Sequence, residues 1–155
     1  MTEPMQHASA NSPAAVEHCP PDLHYLIEQQ VWARVDADEG HATVGITALG
    51  IALAGDIYMC RPKRTGTVLA QGDAIAVVEL AKSIVAVRSP VSGEVVQVNL
   101  LLEEQPERVH QQPYGEGWLV RMRLTDWDTD RGQLLHGDAV VPAMRHHAWL
   151  NRLES

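Results

Sequence analysis

A chain of 155 residues with 45% hydrophobic content is long enough for one domain with appended ends. Twelve Lys and Arg against twenty Asp and Glu leave a formal net charge of -8, which repels a phosphate backbone and argues against nucleic acid as a partner. No stretch approaches the roughly 20 apolar residues that cross a bilayer, and the N-terminus has neither the basic region nor the apolar run of a signal peptide, so a cytoplasmic protein without membrane insertion is expected.

Residues 1–21 are rich in Ala, Ser, Pro, Asn and Gln and are expected to form a disordered leader, because they carry too little apolar surface to offset the entropy of ordering. From Leu23 short apolar runs alternate with turn signals. Tyr25 to Ile27, Val31 to Val35 and Ala42 to Ile46 read as strands, with a hairpin turn over 36–40. Trp32 is expected to fill the core. Thr47 is a natural N-cap for a short helix over 48–54 that Gly55 ends. A strand from Ile57 to Cys60 follows, then a basic loop over 61–66 that reads as a solvated face.

An approximate repeat comes next. Residues 66–73 and 92–99 each hold a glycine, a short β-run and a polar turn, and together they imply a small barrel-like sandwich of antiparallel strands. Pro90 starts the strand after the intervening hairpin, and Gly93 suits a turn. Residues 100–110 suit a helical turn or irregular loop. The glycine-flanked turn from Tyr114 to Trp118 is expected to pack its aromatics on the barrel, and Leu119 to Leu124 alternates like a half-buried edge strand. Residues 129–155 read as a helical extension, with Val141, Met144 and Ala148 on one core-facing stripe and Pro142 in the first turn.

Cys19 and Cys60 lack any CxxC or CxxH spacing, and the eight histidines are scattered, so neither metal nor disulfide is indicated. Only two cations are lysines, Lys63 in the basic loop and Lys82. Lys82 separates two apolar runs, from Ala74 to Val78 and from Ile84 to Val87, that read as the arms of a β-hairpin. A short turn then holds a scarce primary amine out in solvent, with Val77, Ile84 and Val87 or their neighbours packing its base. A turn lysine is ordinarily a solubilising charge. A Schiff-base lysine needs burial or a neighbouring cation to be neutral near pH 7, whereas the near charge here is the carboxylate of Glu79.

Three motifs in order change the weight of that lysine: Glu79-Leu80-Ala81-Lys82, then Ser89-Pro90-Val91-Ser92-Gly93-Glu94-Val95-Val96-Gln97-Val98-Asn99, then Pro113-Tyr114-Gly115-Glu116-Gly117-Trp118-Leu119. With them the chain resembles the H-protein of the glycine cleavage system and its lipoate-binding relatives over about residues 22–128. The resemblance implies a lipoyl-carrier domain over 22–128, with a mainly β, barrel-sandwich hybrid fold of the biotinyl/lipoyl type. Short antiparallel strands would be joined by short helices and followed by a C-terminal helix. It further implies that lipoic acid is the cofactor, held by an amide bond to Lys82, and that Glu79 is part of what the lipoate-attaching enzyme recognises. The protein would then be a carrier with no catalytic residue of its own and no turnover alone. Biotin carriers share the fold class, but that family brackets its lysine with methionines, where this chain has Ala81 and Ser83.

The chain also departs from the pattern. Glycine-cleavage carriers usually have His-Glu-Trp where this chain reads Gln30-Val31-Trp32, and small or acidic residues after the lysine, where Ser83 gives way to the apolar Ile84 to Val87. The neighbourhood of the arm is similar to that of lipoate-binding proteins associated with bacterial sulfur oxidation. The favoured expectation is therefore carriage for a heterodisulfide-reductase-like complex. The alternative is glycine cleavage, where an aminomethyl group passes among a glycine decarboxylase, an aminomethyltransferase and a dihydrolipoyl dehydrogenase. An unlipoylated scaffold or interaction module is a third reading, of another class.

Overall fold

The computed structural model describes residues 13–151. Ten strands alternate with short helices: α1 (Pro13–Glu17), β1 (His24–Leu26), β2 (Val31–Val35), β3 (His41–Ile46), α2 (Ala48–Ala54), β4 (Met59–Pro62), β5 (Val68–Leu69), β6 (Ala74–Glu79), β7 (Ile84–Arg88), β8 (Gly93–Val98), α3 (Leu101–Glu104), α4 (Arg108–Gln111), β9 (Val120–Leu124), α5 (Trp127–Asp130), β10 (Leu135–His136) and α6 (Val140–Leu150). All pairings are antiparallel. They build a seven-stranded sheet in the order β10-β1-β2-β3-β9-β8-β5 and a three-stranded sheet in the order β4-β6-β7.

Side chains on successive strand residues point to opposite faces, and here both faces of the larger sheet are covered. One face sends Val31, Ala33, Val44, Val95 and Met122 into a core closed from the other side by Cys60, Ala76, Val78 and Val87 of the smaller sheet. The opposite face carries Tyr25 and Trp32, covered by Ala15 and Val16 of α1, Leu49 of α2, and Val140, Met144 and Ala148 of α6. The helical stripe therefore starts at Val140, with Val141 only partly buried beside it.

Several expectations need correction. The leader is not disordered throughout: Pro13–Glu17 is helical, and Ala15 and Val16 are buried against the second core, while residues 1–12 lie outside the described residues. Ile27 leaves the first strand for a single 3-10 turn, which Gln30 ends in the left-handed region at φ 56. The strand expected from Ile57 begins at Met59 instead, with Ile57 buried but outside it. β9 is no edge strand, since it lies between β3 and β8; its outward Arg121 and Arg123 are ion-paired to Asp36 and Glu94. Gly93 serves a close approach rather than a turn, because the backbone carbonyl of Arg123 occupies the space a Cβ would take.

The two halves of the approximate repeat do face one another. β5 pairs with β8 through Val68↔Glu94 and Leu69↔Gly93, and the Gly66 amide donates to the Val95 carbonyl at 2.7 Å. Thr47 caps α2 as expected, its hydroxyl accepting from the Gly50 amide at 2.9 Å. Trp32 is fully buried, and its indole N–H reaches the carbonyls of Ile46 and Pro113, both at 3.1 Å. The aromatic turn is anchored by Tyr114, whose hydroxyl accepts from the Ala48 amide at 3.0 Å.

Candidate functional site

The smaller sheet ends in the β6–β7 hairpin, whose register pairs Glu79 with Ile84, Val78 with Val85 and Val77 with Ala86. The Leu80 amide donates to the Ser83 carbonyl at 2.8 Å and closes the turn, leaving Ala81 and Lys82 beyond the last ladder bond. Both are exposed, as the sequence suggests. The structure therefore places the Lys82 amine at the extremity of a rigid two-stranded support, which is the geometry an acylated lysine needs if its substituent is to enter another protein.

Alternation decides what surrounds it. Ala76, Val78 and Val87 point into the core and anchor the hairpin. Val77, Glu79, Ile84 and Ala86 lie on the outer face by register, so Val77 and Ile84 do not pack the base as expected; Ile84 is 68% exposed. Glu79 does not face inward either. Its carboxylate accepts from the Arg61 Nε at 2.9 Å, across the β4–β6 pair. The sequence reading placed Arg61 in a solvated loop and missed this contact, which only the register of two strands well separated in sequence reveals.

Two grooves flank the hairpin's sheet. One, of about 230 Å³, runs beside β7 and is lined by Gln29, Gly50, Leu53, Ile57, Val78 and Val85. A larger one, of about 660 Å³, lies between β4 and α3 and includes Cys60, Arg64, Leu100 and Glu103. Burial pushes the Cys60 thiol up to about 12, so it is not a thiolate nucleophile at neutral pH. Among the described residues no group of three or more His, Cys, Asp or Glu side chains is placed to hold a metal ion, and no helix is long and apolar enough to cross a membrane.

Comparison with known proteins decides the family. The sequence pattern described as "Glycine cleavage H-protein" matches residues 23–147. The chain belongs to the glycine cleavage H-protein family. An H-protein of Aquifex aeolicus (strain VF5), "Glycine cleavage system H protein 3", is 37% identical over 131 residues, covering 83% of this chain and 81% of that protein. The "Glycine cleavage system H protein" of Marinobacter nauticus is 44% identical over 107 residues, covering 69% of this chain and 81% of its own. The crystal structure of a glycine cleavage system H-protein from Mycobacterium marinum superposes with a TM-score of 0.66 at 24% identity, over 87% of this chain and all of that one, a likeness of fold. The H-protein fold is the mainly β barrel-sandwich hybrid expected, and H-proteins carry lipoic acid covalently on a lysine. The matched stretch includes β10 and most of α6, so the segment expected as an extension lies largely within the H-protein match.

Proposed function

We propose that Lys82 is the lysine that carries the lipoyl group, and that the protein is a non-catalytic carrier subunit working among the enzymes of glycine cleavage. The observation that carries this is the placement of Lys82: of the two lysines in the chain, it alone stands at the closed tip of a hairpin, on strands anchored in the core. Those surroundings fit the group, because amide formation replaces an exposed ammonium by a neutral link and buries nothing. The bound dithiolane supplies disulfide and dithiol exchange at the end of a long arm. The polypeptide's part is to fix the base of that arm and raise its local concentration at a docked enzyme. Glu79, three residues before Lys82 and held by Arg61, is positioned to be recognised by the attaching enzyme.

Glycine cleavage is preferred because the relatives carry that name, and its partners would be a glycine decarboxylase, an aminomethyltransferase and a dihydrolipoyl dehydrogenase. Sulfur oxidation with a heterodisulfide-reductase-like complex is the second reading. It rests on the apolar stretch after Lys82, of which Ile84 and Val85 are 68% and 44% exposed, and no relative named above bears it.

Incubation with a lipoate ligase, lipoic acid and ATP tests the site by intact mass. The wild type and Lys63→Arg should each gain one lipoyl group, and Lys82→Arg none; an unmodified wild type would overturn the reading. The loaded chain should then support glycine-dependent NADH formation with the three partner enzymes. Failure there, with the lipoyl group in place, would remove the glycine pathway and leave carriage standing.

A further inference from the structure

The outer face of the three-stranded sheet has a composition unlike the rest of the chain. By register, Met59, Arg61, Val77, Glu79, Ile84 and Ala86 share this face, and Arg88 ends it on β7. Lys63 is exposed one residue past the end of β4, its amide bonded to the Ile75 carbonyl at 2.7 Å. The face thus presents two cations, Arg61 and Arg88, with Lys63 at the end of its β4 edge, and a single carboxylate, Glu79, which Arg61 already neutralises. It does so on a protein whose formal charge is -8. Between the charges lie apolar side chains, with Ile84 at 68% exposure and Val77 half-buried.

We infer that this cationic, partly apolar sheet face is the docking surface for the enzyme that acylates Lys82, and that the complementary surface of that enzyme is acidic around an apolar patch. The inference rests on Lys82 being the attachment lysine. Reach selects this partner over those that use the finished arm. Acylation joins the Lys82 Nζ to the carboxyl carbon of an ATP-activated lipoate; the bond from that carbon to adenylate oxygen breaks, adenylate leaves, and the lysine ammonium loses two protons to solvent. The reacting atom is then only a four-carbon stem away from the hairpin backbone, so the enzyme must close against β6 and β7 themselves. A client of the finished arm meets its far end and is under no such constraint. Charge supplies the steering: a net cationic face on an acidic protein orients an acidic partner toward the hairpin and away from the remaining surface.

The test is the rate of acylation by a lipoate ligase supplied with lipoic acid and ATP, followed by intact mass. Ile84→Ser and the double variant Lys63→Glu with Arg88→Glu change exposed side chains, and thermal melting checks that each is folded. Each should lower kcat/KM about tenfold, through KM, and the double variant should also flatten the dependence of rate on salt. Arg145→Glu, a reversal on α6, should keep the wild-type rate. Wild-type kinetics in both face variants, with Lys82→Arg still refusing the group, would overturn the docking face and leave the attachment site standing. A wild type that is never acylated would remove the attachment reading first, and this face with it.

Discussion

His24 stacks on His136 with ring centroids 4.2 Å apart, where β1 pairs with β10, and meets the Trp127 ring edge-on at 4.9 Å. Burial first, then the neighbouring His136 and Arg131, push the His24 imidazole down from 6.5 to about 4, against a smaller opposing pull from Glu39. An unfolded chain takes up that proton near 6.5 while the folded chain refuses it until about 4. The neutral stack therefore stabilises the fold fully above 6.5 and loses its contribution as pH falls through that window. The melting temperature of the wild type should fall between pH 6.5 and 4 more steeply than that of His24→Phe; parallel curves would show that the stack does not couple to folding. None of this was legible in the sequence, where eight histidines only look scattered. The exposure of Lys82 at a hairpin tip was legible, because turn chemistry and flanking apolar runs are local facts. Arg61 beside Glu79 was not, since 18 positions separate the two and register alone brings them together.

At the scale of elements, the helix α2 was readable from its ends. Thr47 and Gly55 have the chemistry of caps, and both act as such, Gly55 in the left-handed half of the map at φ 83. What the sequence hid is the second task of Thr47, whose hydroxyl donates to the buried Gln30 Oε1 at 2.5 Å. Gln30 in turn donates to the Ile27 carbonyl at 2.8 Å, so one polar pair ties the start of β2 to the start of α2. Thr47→Val removes the cap and strands a buried acceptor, and should cost about 2–3 kcal/mol in urea unfolding, whereas Thr47→Ser keeps the hydroxyl and should cost under about 1 kcal/mol. A loss in Thr47→Ser with none in Thr47→Val, which keeps a γ-methyl, would show that the methyl group, not the hydrogen bonds, matters there. The β9 strand shows the converse problem. Alternating arginines look like a solvated edge, yet Asp36, just past β2, and Glu94 on β8 neutralise them, and an alternating pattern cannot report how many neighbours a strand has.

Across the whole molecule, one sheet separates two cores with different duties. The core shared with the smaller sheet anchors the Lys82 hairpin, and the core under α1, α2 and α6 supports the sheet from behind. Met144 is fully buried in the second core, with its sulfur 3.5 Å from the Gln30 amide nitrogen. Met144→Ala should cost about 2–5 kcal/mol in urea unfolding and leave the rate of acylation at Lys82 unchanged, because the hairpin belongs to the other core. A loss of acylation in the folded variant would show that the two cores are coupled.

The sequence by itself determined the β character, the hairpin, the exposed lysine and the family, because each rests on periodicity, turn chemistry or a contiguous motif. Only the tertiary structure decided that part of the expected leader belongs to the fold, that β9 is interior, and that Glu79 meets Arg61 on an outward cationic face. Those facts depend on which strands lie side by side and in what register. Pairing energies between distant segments set that register, and no local stretch of residues encodes it.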